Sequence, residues 1–245
     1  MRLDLYLVTN GYTFSRNKAQ ELIKKSYVKV NEKTIKKPSF MVEQDDKVEV
    51  LKAQEYVSRA AYKLKNYLDK YSLSFENKNV LDIGSSTGGF TQVALEKGAK
   101  KVVSVDVGNN QLHFSLRDNP KIEVFENTDI RDFQYPKKFD IVVSDVSFIS
   151  LLKILDKIDS LIEKGEIILL FKPQFEVGRE VKRDKRGVVT DKEVIKKARS
   201  NFEKETKKLN WKLLRSEESS IKGKEGNIEY IYHFVKENND KKISD

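Results

Sequence analysis

The residues with the clearest chemical meaning are glycines and carboxylates between Asn79 and Asp106. A short apolar run ends at Ile83 and leads into Gly-Ser-Ser-Thr-Gly-Gly, and a second apolar run ends at Asp106. A carboxylate about 20 residues beyond such a turn is placed to bind the two hydroxyls of a ribose. The spacing differs from the Gly-x-Gly-x-x-Gly of dinucleotide sites, and no Lys-Ser/Thr follows to bind phosphates. The pattern favours a nucleoside without a pyrophosphate, with S-adenosylmethionine the foremost candidate; a turn in an unrelated α/β protein is the alternative.

Charged side chains also follow later apolar runs. Asp129, Asp145 and Lys172 each stand just beyond a short apolar segment, as Asp106 does. Because parallel strands bring their carboxyl ends to one edge of a sheet, these side chains are expected to meet there. One charged residue at a strand end carries little weight, but four in succession favour a ligand site.

The elements that must position these residues alternate between strands and helices from about residue 56 onward. The predicted strands are Val80–Ile83, Val102–Val107, Ile122–Phe125, Ile141–Ser144 and Ile167–Phe171, with a final pair at Lys212–Arg215 and Glu229–Val235. Helices are predicted at Phe90–Lys97 and Leu151–Lys164. Nearly continuous apolar runs are typical of parallel strands covered on both faces. The predicted fold class is α/β, with a doubly wound Rossmann-like sheet.

A small basic module precedes this region. Residues 1–37 carry nine basic and three acidic residues, a net charge of +6 in a chain whose total is +9. Apolar positions in Leu3–Val8 predict a first helix, and Ser15 is a suitable N-cap for a second. Short strands are predicted at Tyr27–Val30 and Lys47–Val50. A basic α+β unit of about 50 residues is near the lower size limit for independent folding, and its charge favours a polyanionic partner.

Composition excludes several classes of site. The chain has no cysteine and 2 histidines, which excludes disulfides, a thiolate nucleophile and a cysteine-ligated metal. No segment approaches the roughly 18 apolar residues of a membrane helix, and no secretory signal is evident. We therefore expect no metal, no membrane partner and a cytoplasmic location. The predicted domains are residues 1–55 and 56–236, followed by a polar tail, 237–245, that is expected to be disordered.

Several longer motifs resemble a known family. Four of them are Ser-Arg-Ala-Ala-Tyr-Lys, Ser-Asp-Val-Ser-Phe, Phe-Lys-Pro-Gln-Phe-Glu and Gly-Asn-Ile-Glu-Tyr. They resemble the S-adenosylmethionine-dependent RNA ribose 2′-O-methyltransferases, whose Lys-Asp-Lys-Glu tetrad matches Lys63, Asp145, Lys172 and Glu229. At the front, Arg2-Leu-Asp, Ser15-Arg16 and Val28-Lys-Val-Asn31 are similar to an S4 RNA-binding domain. Together these motifs resemble the haemolysin-A-like (TlyA) ribosomal RNA methyltransferases from residue 1 to about 236.

This resemblance implies a set of cofactor contacts. Those expected near the methionine moiety are Asp82, Gly84, Ser85, Ser86 and Gly88. Asp106 is expected to bind the ribose and Asp129 the adenine amino group. The family often has asparagine in place of Asp129, although either side chain accepts a hydrogen bond from an amine. It also usually has glycines where this chain has Ala60 and Ala61.

The tetrad suits activation of a ribose hydroxyl, which is a poor nucleophile near neutral pH. A lysine acts as a base only when it is neutral, and a neighbouring ammonium favours the neutral form. The resemblance suggests Lys172 as the base or hydroxyl-activating group, with Asp145 and Glu229 orienting the lysines and Lys63 positioning the hydroxyl. Each of the four is alternatively a structural ion-pair partner.

The expected macromolecular partner is ribosomal RNA, since S4 domains bind structured RNA by its backbone and shape. The candidates for phosphate contact are Arg2, Arg16, Lys36 and Lys37; the alternative is that these charges only solubilise the module. The basic loop Lys182–Arg186 is either a further RNA contact or a solvated surface loop. Shorter family members, which begin almost directly at the Arg-Leu-Asp helix, tend to modify cytidine in the large subunit, so that subunit is favoured here.

Three other functions remain open at this stage. A base methyltransferase is disfavoured, because cytosine C5 chemistry normally needs a cysteine and amino methylation usually shows Asn/Asp-Pro-Pro-aromatic where Asp145-Val-Ser-Phe stands. A non-catalytic RNA-binding or ribosome-assembly factor on a methyltransferase fold is disfavoured by the apparently intact tetrad. A membrane-active haemolysin is suggested by the family's name alone. The sequence does not indicate an oligomeric state.

Overall fold

The computed structural model describes residues 1–13, 15–51 and 56–238. The chain divides into two compact units, residues 1–55 and 56–245. Most of the predicted disordered tail, residues 239–245, lies outside the described residues.

The first unit combines two helices with a small antiparallel sheet. Its elements are α1 (Leu3–Thr9), α2 (Arg16–Lys24), β1 (Val28–Val30), β2 (Lys33–Thr34) and β3 (Val48–Val50), and the sheet order is β2-β1-β3. The Ser15 hydroxyl caps α2 by accepting a hydrogen bond from the Lys18 amide, as its position predicts. Leu3 and Leu7 of α1 pack on Leu22 and Ile23 of α2 in the core.

The second unit is an α/β sheet flanked by helices. Its strands are β4 (Asn79–Ile83), β5 (Lys101–Val105), β6 (Ile122–Phe125), β7 (Phe139–Ser144), β8 (Ile162–Phe171), β9 (Trp211–Glu218) and β10 (Tyr230–Lys236). Its helices are α3 (Arg59–Lys70), α4 (Gly89–Glu96), α5 (Phe114–Arg117), α6 (Leu155–Leu161), α7 (Pro173–Glu176) and α8 (Lys192–Lys208), with a 3-10 turn at Leu151–Lys153.

The sheet order is β6-β5-β4-β7-β8-β10-β9. Strands β4 to β8 pair in parallel, whereas β10 is antiparallel to both of its neighbours. The chain runs outward from β4 through β5 and β6, and then crosses to β7 on the other side of β4. This reversal between β4 and β7 is the switch point at which doubly wound sheets bind ligands.

Both faces of the sheet are covered, which explains the uninterrupted apolar runs. In β8, Ile168 and Leu170 pack with residues of α3 and α4. Ile167, Leu169 and Phe171, on the alternate face, pack with residues of α6 and α8. Side chains in a strand alternate between faces, so a strand buried on both sides needs apolar residues at every position.

Some predicted boundaries are wrong. The predicted helix Leu151–Lys164 is a 3-10 turn followed by α6, which ends at Leu161. Residues 162–164 belong instead to β8, because Ile162 is buried and pairs opposite Phe139 of β7. The second predicted strand ends at Val105, so Val107 lies beyond the sheet and is exposed. The longest helix, α8, was not predicted, although Asp191 is an effective N-cap for it.

Candidate active site

The glycine-rich turn lies at the carboxyl end of β4, at the switch point of the sheet. Gly84 has φ of +76°, and a Cβ there would lie 3.0 Å from the Val146 backbone in the loop after β7. Gly88 has φ of +93°, and its Cβ would meet the side chains of Leu112 and Leu116. A larger residue at either position would be strained and would fill space beside the turn.

A first cavity of 640 Å³ opens beside this turn, within the size range of small-molecule sites. Its lining includes four of the predicted cofactor contacts, namely Gly84, Ser86, Asp106 and Asp129. The other three, Asp82, Ser85 and Gly88, do not line it. Gly88 belongs to the turn but lies against Leu112 and Leu116, whereas Ser85 lines a separate small cavity.

The turn and the loop after β5 meet at Asp106. Its Oδ2 accepts a hydrogen bond of 2.8 Å from the Ser86 amide, and its Oδ1 accepts one of 2.7 Å from the Gly108 amide. Each carboxylate oxygen can accept more than one hydrogen bond. Asp106 is therefore held in place by backbone groups while it keeps capacity for ribose hydroxyls.

Glu126 organises the same loop, a role that its position in the sequence did not indicate. Its carboxylate accepts hydrogen bonds from the amides of residues 110, 111 and 112, at 3.0, 2.6 and 2.9 Å. Arg117 also donates to it, and this contact lowers the pKa of Glu126 to about 2. An ionised Glu126 thus fixes the loop that carries Gly108 and Gln111 to the first cavity.

Asp129 lies in the first cavity as a charged acceptor. Both of its carboxylate oxygens accept hydrogen bonds from the Arg131 side chain, at 2.6 to 3.1 Å. The Arg131 guanidinium lowers the pKa of Asp129. An ionised carboxylate only accepts hydrogen bonds, which matches an exocyclic amine as donor.

Asp82 differs from its prediction as a cofactor contact. Its side chain is fully buried and lines none of the three cavities described here. Its Oδ2 accepts a 2.6 Å hydrogen bond from Thr91 of α4, which also contacts Ser104 of β5. Side chains alternate between the two faces of a strand, and this alternation directs Asp82 to the face covered by α3 and α4, away from the cavities. Asp82 therefore supports the turn from within the sheet and lines none of the three cavities.

The four tetrad residues come together although they are far apart in the chain. Lys63 Nζ lies 2.6 Å from Glu229 Oε2 and 3.7 Å from Asp145 Oδ2. Lys172 Nζ lies 2.6 Å from Asp145 Oδ1. Asp145 therefore lies between two lysines, one on each carboxylate oxygen. All four side chains are nearly buried, so these ion pairs are poorly screened by water.

Ser147 is an additional contact of Lys172 that the motif comparison did not single out. Lys172 Nζ donates to Ser147 Oγ at 2.8 Å and to the Asp145 carbonyl oxygen at 3.2 Å. The 2.6 Å contact of Lys172 Nζ with Asp145 Oδ1 is an ion pair that lacks hydrogen-bond geometry. The position of the Lys172 amine is thereby fixed relative to the loop after β7.

Two further cavities adjoin the tetrad. The smaller, of 160 Å³, is lined by Ser85 and Ser86 of the turn together with Asp145 and Lys172. The other, of 610 Å³, includes three tetrad residues and basic side chains in its lining: Lys63, Lys172, Glu229, Arg183, Arg186 and Lys224. The tetrad thus lies between the glycine-rich turn and the cavity of 610 Å³ with its basic lining.

The basic loop Lys182–Arg186 is partly structural. Arg183 donates from its guanidinium to the carbonyl oxygens of residues 174, 178, 179 and 181. Arg186 is exposed at the second cavity, 3.5 Å from Asp184. Only Arg186 and its exposed lysine neighbours are thus available for a partner.

Phe148 is strained and exposed at both large cavities. Its φ is +65°, which is unfavourable for a bulky residue, and it is 91% exposed. Its ring lies 5.3 Å from that of Phe175. Glu176 anchors the same loop by accepting hydrogen bonds from Ser150 Oγ and the Leu151 amide, at 2.6 and 2.8 Å. These contacts hold a conformation that the loop would not adopt unaided.

The predicted RNA contacts lie in the first unit and divide into two kinds. Lys36 and Lys37 are exposed. Arg2 and Arg16 instead both pair with the buried carboxylate of Asp4. Among the described residues there is no cluster of three or more potential metal ligands and no helix long and apolar enough to cross a membrane.

The chain is similar to several known proteins. Residues 56–236 match the FtsJ-like methyltransferase family, and residues 1–48 match the S4 domain. The 23S rRNA (cytidine-2′-O)-methyltransferase TlyA of Campylobacter jejuni is 49% identical, over 96% of this chain and 100% of the relative. The 16S/23S rRNA (cytidine-2′-O)-methyltransferase TlyA of Mycobacterium tuberculosis is 35% identical, over 94% and 88% of the two chains.

A solved structure from Streptococcus thermophilus, whose name carries the word hemolysin, is also similar. It covers 96% of this chain and 88% of its own, with 31% identity and a TM-score of 0.70. The similarity therefore extends over both units of the chain.

Proposed function

The chain belongs to the FtsJ-like methyltransferase family, in the TlyA group that carries an S4 domain, and from that premise we propose that it methylates a ribose 2′-hydroxyl of ribosomal RNA. One observation carries the proposal. Asp145 lies between Lys63 and Lys172, and it shares a small cavity with the glycine-rich turn. A hydroxyl beside the tetrad would thus be close to a nucleoside ligand bound at the turn.

The residues of the first cavity fit S-adenosylmethionine. The ionised carboxylate of Asp129 suits the amine of such a ligand, and the anchored carboxylate of Asp106 suits its ribose. Ser85 and Ser86 would hold the methionine moiety in the small cavity. S-adenosylmethionine supplies the methyl group as an electrophilic sulfonium substituent.

The tetrad residues then have distinct tasks. Transfer forms an O–CH₃ bond and breaks an S–CH₃ bond, and the hydroxyl proton would pass to the neutral amine of Lys172. Lys172, fixed by Asp145 and Ser147, is the proposed hydroxyl-activating group. Lys63, paired with Glu229, would position the hydroxyl. Precise placement of these groups is a large part of catalysis, because reaction needs near-attack geometry.

The proposed substrate is a cytidine of large-subunit ribosomal RNA. The name of the Campylobacter jejuni relative specifies a 23S cytidine, and that relative is matched over its whole length. The S4 domain and the basic second cavity would contact the RNA backbone. The exposed ring of Phe148, beside the tetrad, offers a surface on which a base can stack.

We test this proposal by incubating the protein with methyl-labelled S-adenosylmethionine and with unmodified small or large ribosomal subunits. Ribose methylation blocks alkaline cleavage, so label in an alkali-resistant dinucleotide from the large subunit is the expected result. Label in the small subunit would change the substrate assignment. Absence of label from both subunits, with S-adenosylmethionine binding intact, would favour a non-catalytic RNA-binding factor.

The role of Lys172 is tested by Lys172→Ala in the same assay. Loss of a positioned proton acceptor typically costs a factor of 10² to 10⁴, so turnover should fall by at least about 100-fold. S-adenosylmethionine affinity, measured by calorimetry, should change less than about threefold. Lys197→Ala, at an exposed position of α8, is the matched control. Turnover within a few-fold of the wild type would refute the assignment.

A further inference from the structure

In the first unit, the buried carboxylate of Asp4 lies between two arginines. Arg2 contacts it with two nitrogens, Nε to Oδ1 and Nη2 to Oδ2, each at 3.0 Å. Arg16 Nε donates to the same Oδ2 at 3.0 Å, and Gln20 Nε2 donates to it at 2.9 Å. Both guanidinium groups therefore converge on one oxygen atom and lie within two hydrogen-bond lengths of each other.

These four side chains meet because they lie at the amino-terminal ends of α1 and α2. Asp4 is in the first turn of α1 and Arg2 directly precedes that helix. Arg16 begins α2, and Gln20 follows one turn later on the same face. The carboxylate thus joins the amino-terminal ends of two helices that also pack together through their apolar side chains.

The carboxylate is covered, whereas the cations reach solvent. The Asp4 side chain is 0% exposed, but those of Arg2 and Arg16 are 39% and 50% exposed. Among the residues that the structure describes, Arg16 uses only Nε in these contacts, and Arg2 Nη1 has no hydrogen-bond partner. Each guanidinium therefore keeps donors for an acceptor in solvent, and such groups match phosphate oxygens in geometry.

We propose that Asp4 is a positioning residue that holds Arg2 and Arg16 as a preformed binding site for an RNA phosphate. The inference rests on the proposed function, because it requires RNA as the partner of the first unit. A free arginine samples many rotamers, and fixing it on binding opposes affinity. Asp4 fixes both side chains beforehand, and the three charges together still leave a net positive site.

Two physical effects of Asp4 on RNA affinity have opposite signs. A negative charge on an RNA-binding surface repels phosphates, so its removal alone should tighten binding. Loss of the organised arginine pair should instead weaken binding. Asp4→Asn removes the charge but keeps the shape of the side chain, so it distinguishes the effect of charge repulsion from the effect of arginine positioning.

The experiment measures binding of the full chain to unmodified large ribosomal subunits by filter retention across a range of KCl concentrations. Asp4→Asn should bind about tenfold more weakly at 150 mM salt, even though it raises the net charge by one. Asp45→Asn makes the same chemical change at an exposed position of the same unit. It should bind as tightly as the wild type, or slightly more tightly.

A second variant covers the case in which Asp4→Asn unfolds the first unit, which circular dichroism would detect. Gln20→Ala removes one hydrogen bond to Asp4 without a change of charge, and we expect a twofold to threefold loss of affinity, about what a weakened hydrogen bond costs. In an Arg2→Ala/Arg16→Ala background, Asp4→Asn should no longer weaken binding. A merely structural role for Asp4 would leave its effect the same in both backgrounds.

The outcomes separate this inference from the proposed function. If the wild-type chain fails to bind either ribosomal subunit, the proposed function itself is wrong. If the wild type binds and a folded Asp4→Asn chain binds equally or more tightly, the positioning role is refuted while the function stands. Where Asp4→Asn does not fold, unchanged binding by Gln20→Ala overturns it.

Discussion

At the scale of single residues, Asp145 links the two lysines of the tetrad. It follows β7, and each of its carboxylate oxygens faces a different lysine. Removal of one partner from a buried ion pair is costly because the remaining charge stays unpaired. Two lysine charges balance the Asp145 carboxylate, whereas no ion pair is found for Asp82 in the described part of the chain; in both side chains Oδ1 is buried without a hydrogen bond.

Burial raises the pKa of Asp82 to about 7. Because the folded-state value is raised above that of an unfolded aspartate, the folded state binds the extra proton at intermediate pH. The contribution of Asp82 to stability therefore falls as pH rises from about 4 to about 7, and the cost is fully present above that range.

Asp82→Asn removes this charge, so its melting temperature relative to the wild type should rise by at least about 4 °C between pH 5 and pH 8. Thermal unfolding followed by circular dichroism measures the difference. Asp118→Asn, at an exposed position, should show no such trend. A constant difference between Asp82→Asn and the wild type across this range would contradict the prediction.

At the scale of elements, α3 and β10 are joined at two successive turns of the helix. Lys63 of α3 pairs with Glu229, directly before β10, and Tyr67 contacts His233 Nδ1 at 2.9 Å. Burial raises the pKa of Tyr67 to about 12, so its hydroxyl stays protonated and donates. His233 Nε2 then donates to Glu166, whose pKa this contact lowers. These contacts fix the position of α3, which carries one tetrad lysine, relative to β10, which directly follows the glutamate that pairs with it.

Tyr67→Phe should lower kcat about fivefold to twentyfold, because a misplacement of Lys63 and Glu229 affects the reacting geometry more than ligand binding. The KM values for S-adenosylmethionine and for large ribosomal subunits should stay within about twofold. Steady-state kinetics with labelled cofactor separates the two parameters. Tyr71→Phe is the control, since it removes, directly after the same helix, a hydroxyl that contacts Glu217 of β9. Equal turnover in both variants would show that the Tyr67 hydroxyl does not position the tetrad.

At the scale of the whole molecule, the predicted RNA contacts and the candidate active site fall in different units. The predicted phosphate contacts lie within residues 1–37, which carry a net charge of +6, although acidic residues at 38–55 reduce the first unit to +3. The second unit, with the tetrad and the glycine-rich turn, carries the other +6 of the chain's +9. Binding to phosphates releases counterions and weakens with salt. S-adenosylmethionine carries no phosphate, so its binding at the first cavity, whose lining includes both acidic and basic side chains, is expected to depend less on salt.

The kcat/KM for large ribosomal subunits should therefore decrease with KCl, with a log–log slope of about −2 to −4, which corresponds to a few phosphate contacts. The Kd for S-adenosylmethionine should change less than about twofold over the same range. Lys36→Ala/Lys37→Ala should make the slope shallower by about 1 to 2. Lys196→Ala/Lys197→Ala, on exposed positions of α8, should leave it unchanged. Equal salt dependence of RNA and cofactor binding would argue against this division.

From the sequence alone, the strands of the large sheet, the turn at Gly84 and the family could be predicted, whereas α8 was missed. These are local properties, because apolar periodicity reports burial and glycine reports backbone conformation within a few residues. It also indicated the tetrad, through motifs whose members resemble those of the family. Its errors, such as the start of β8, lie at boundaries where burial in the sheet outweighed helical periodicity.

Which side chains meet became clear in the tertiary structure. Lys63 and Glu229 are 166 residues apart, and nothing local to either one specifies the other. The same holds for Asp82, whose burial depends on the helices packed over β4, and for Asp4, which gathers residues from two helices. Such pairings arise from the packing of distant elements into one core, and a pattern that repeats every two or four residues does not encode them.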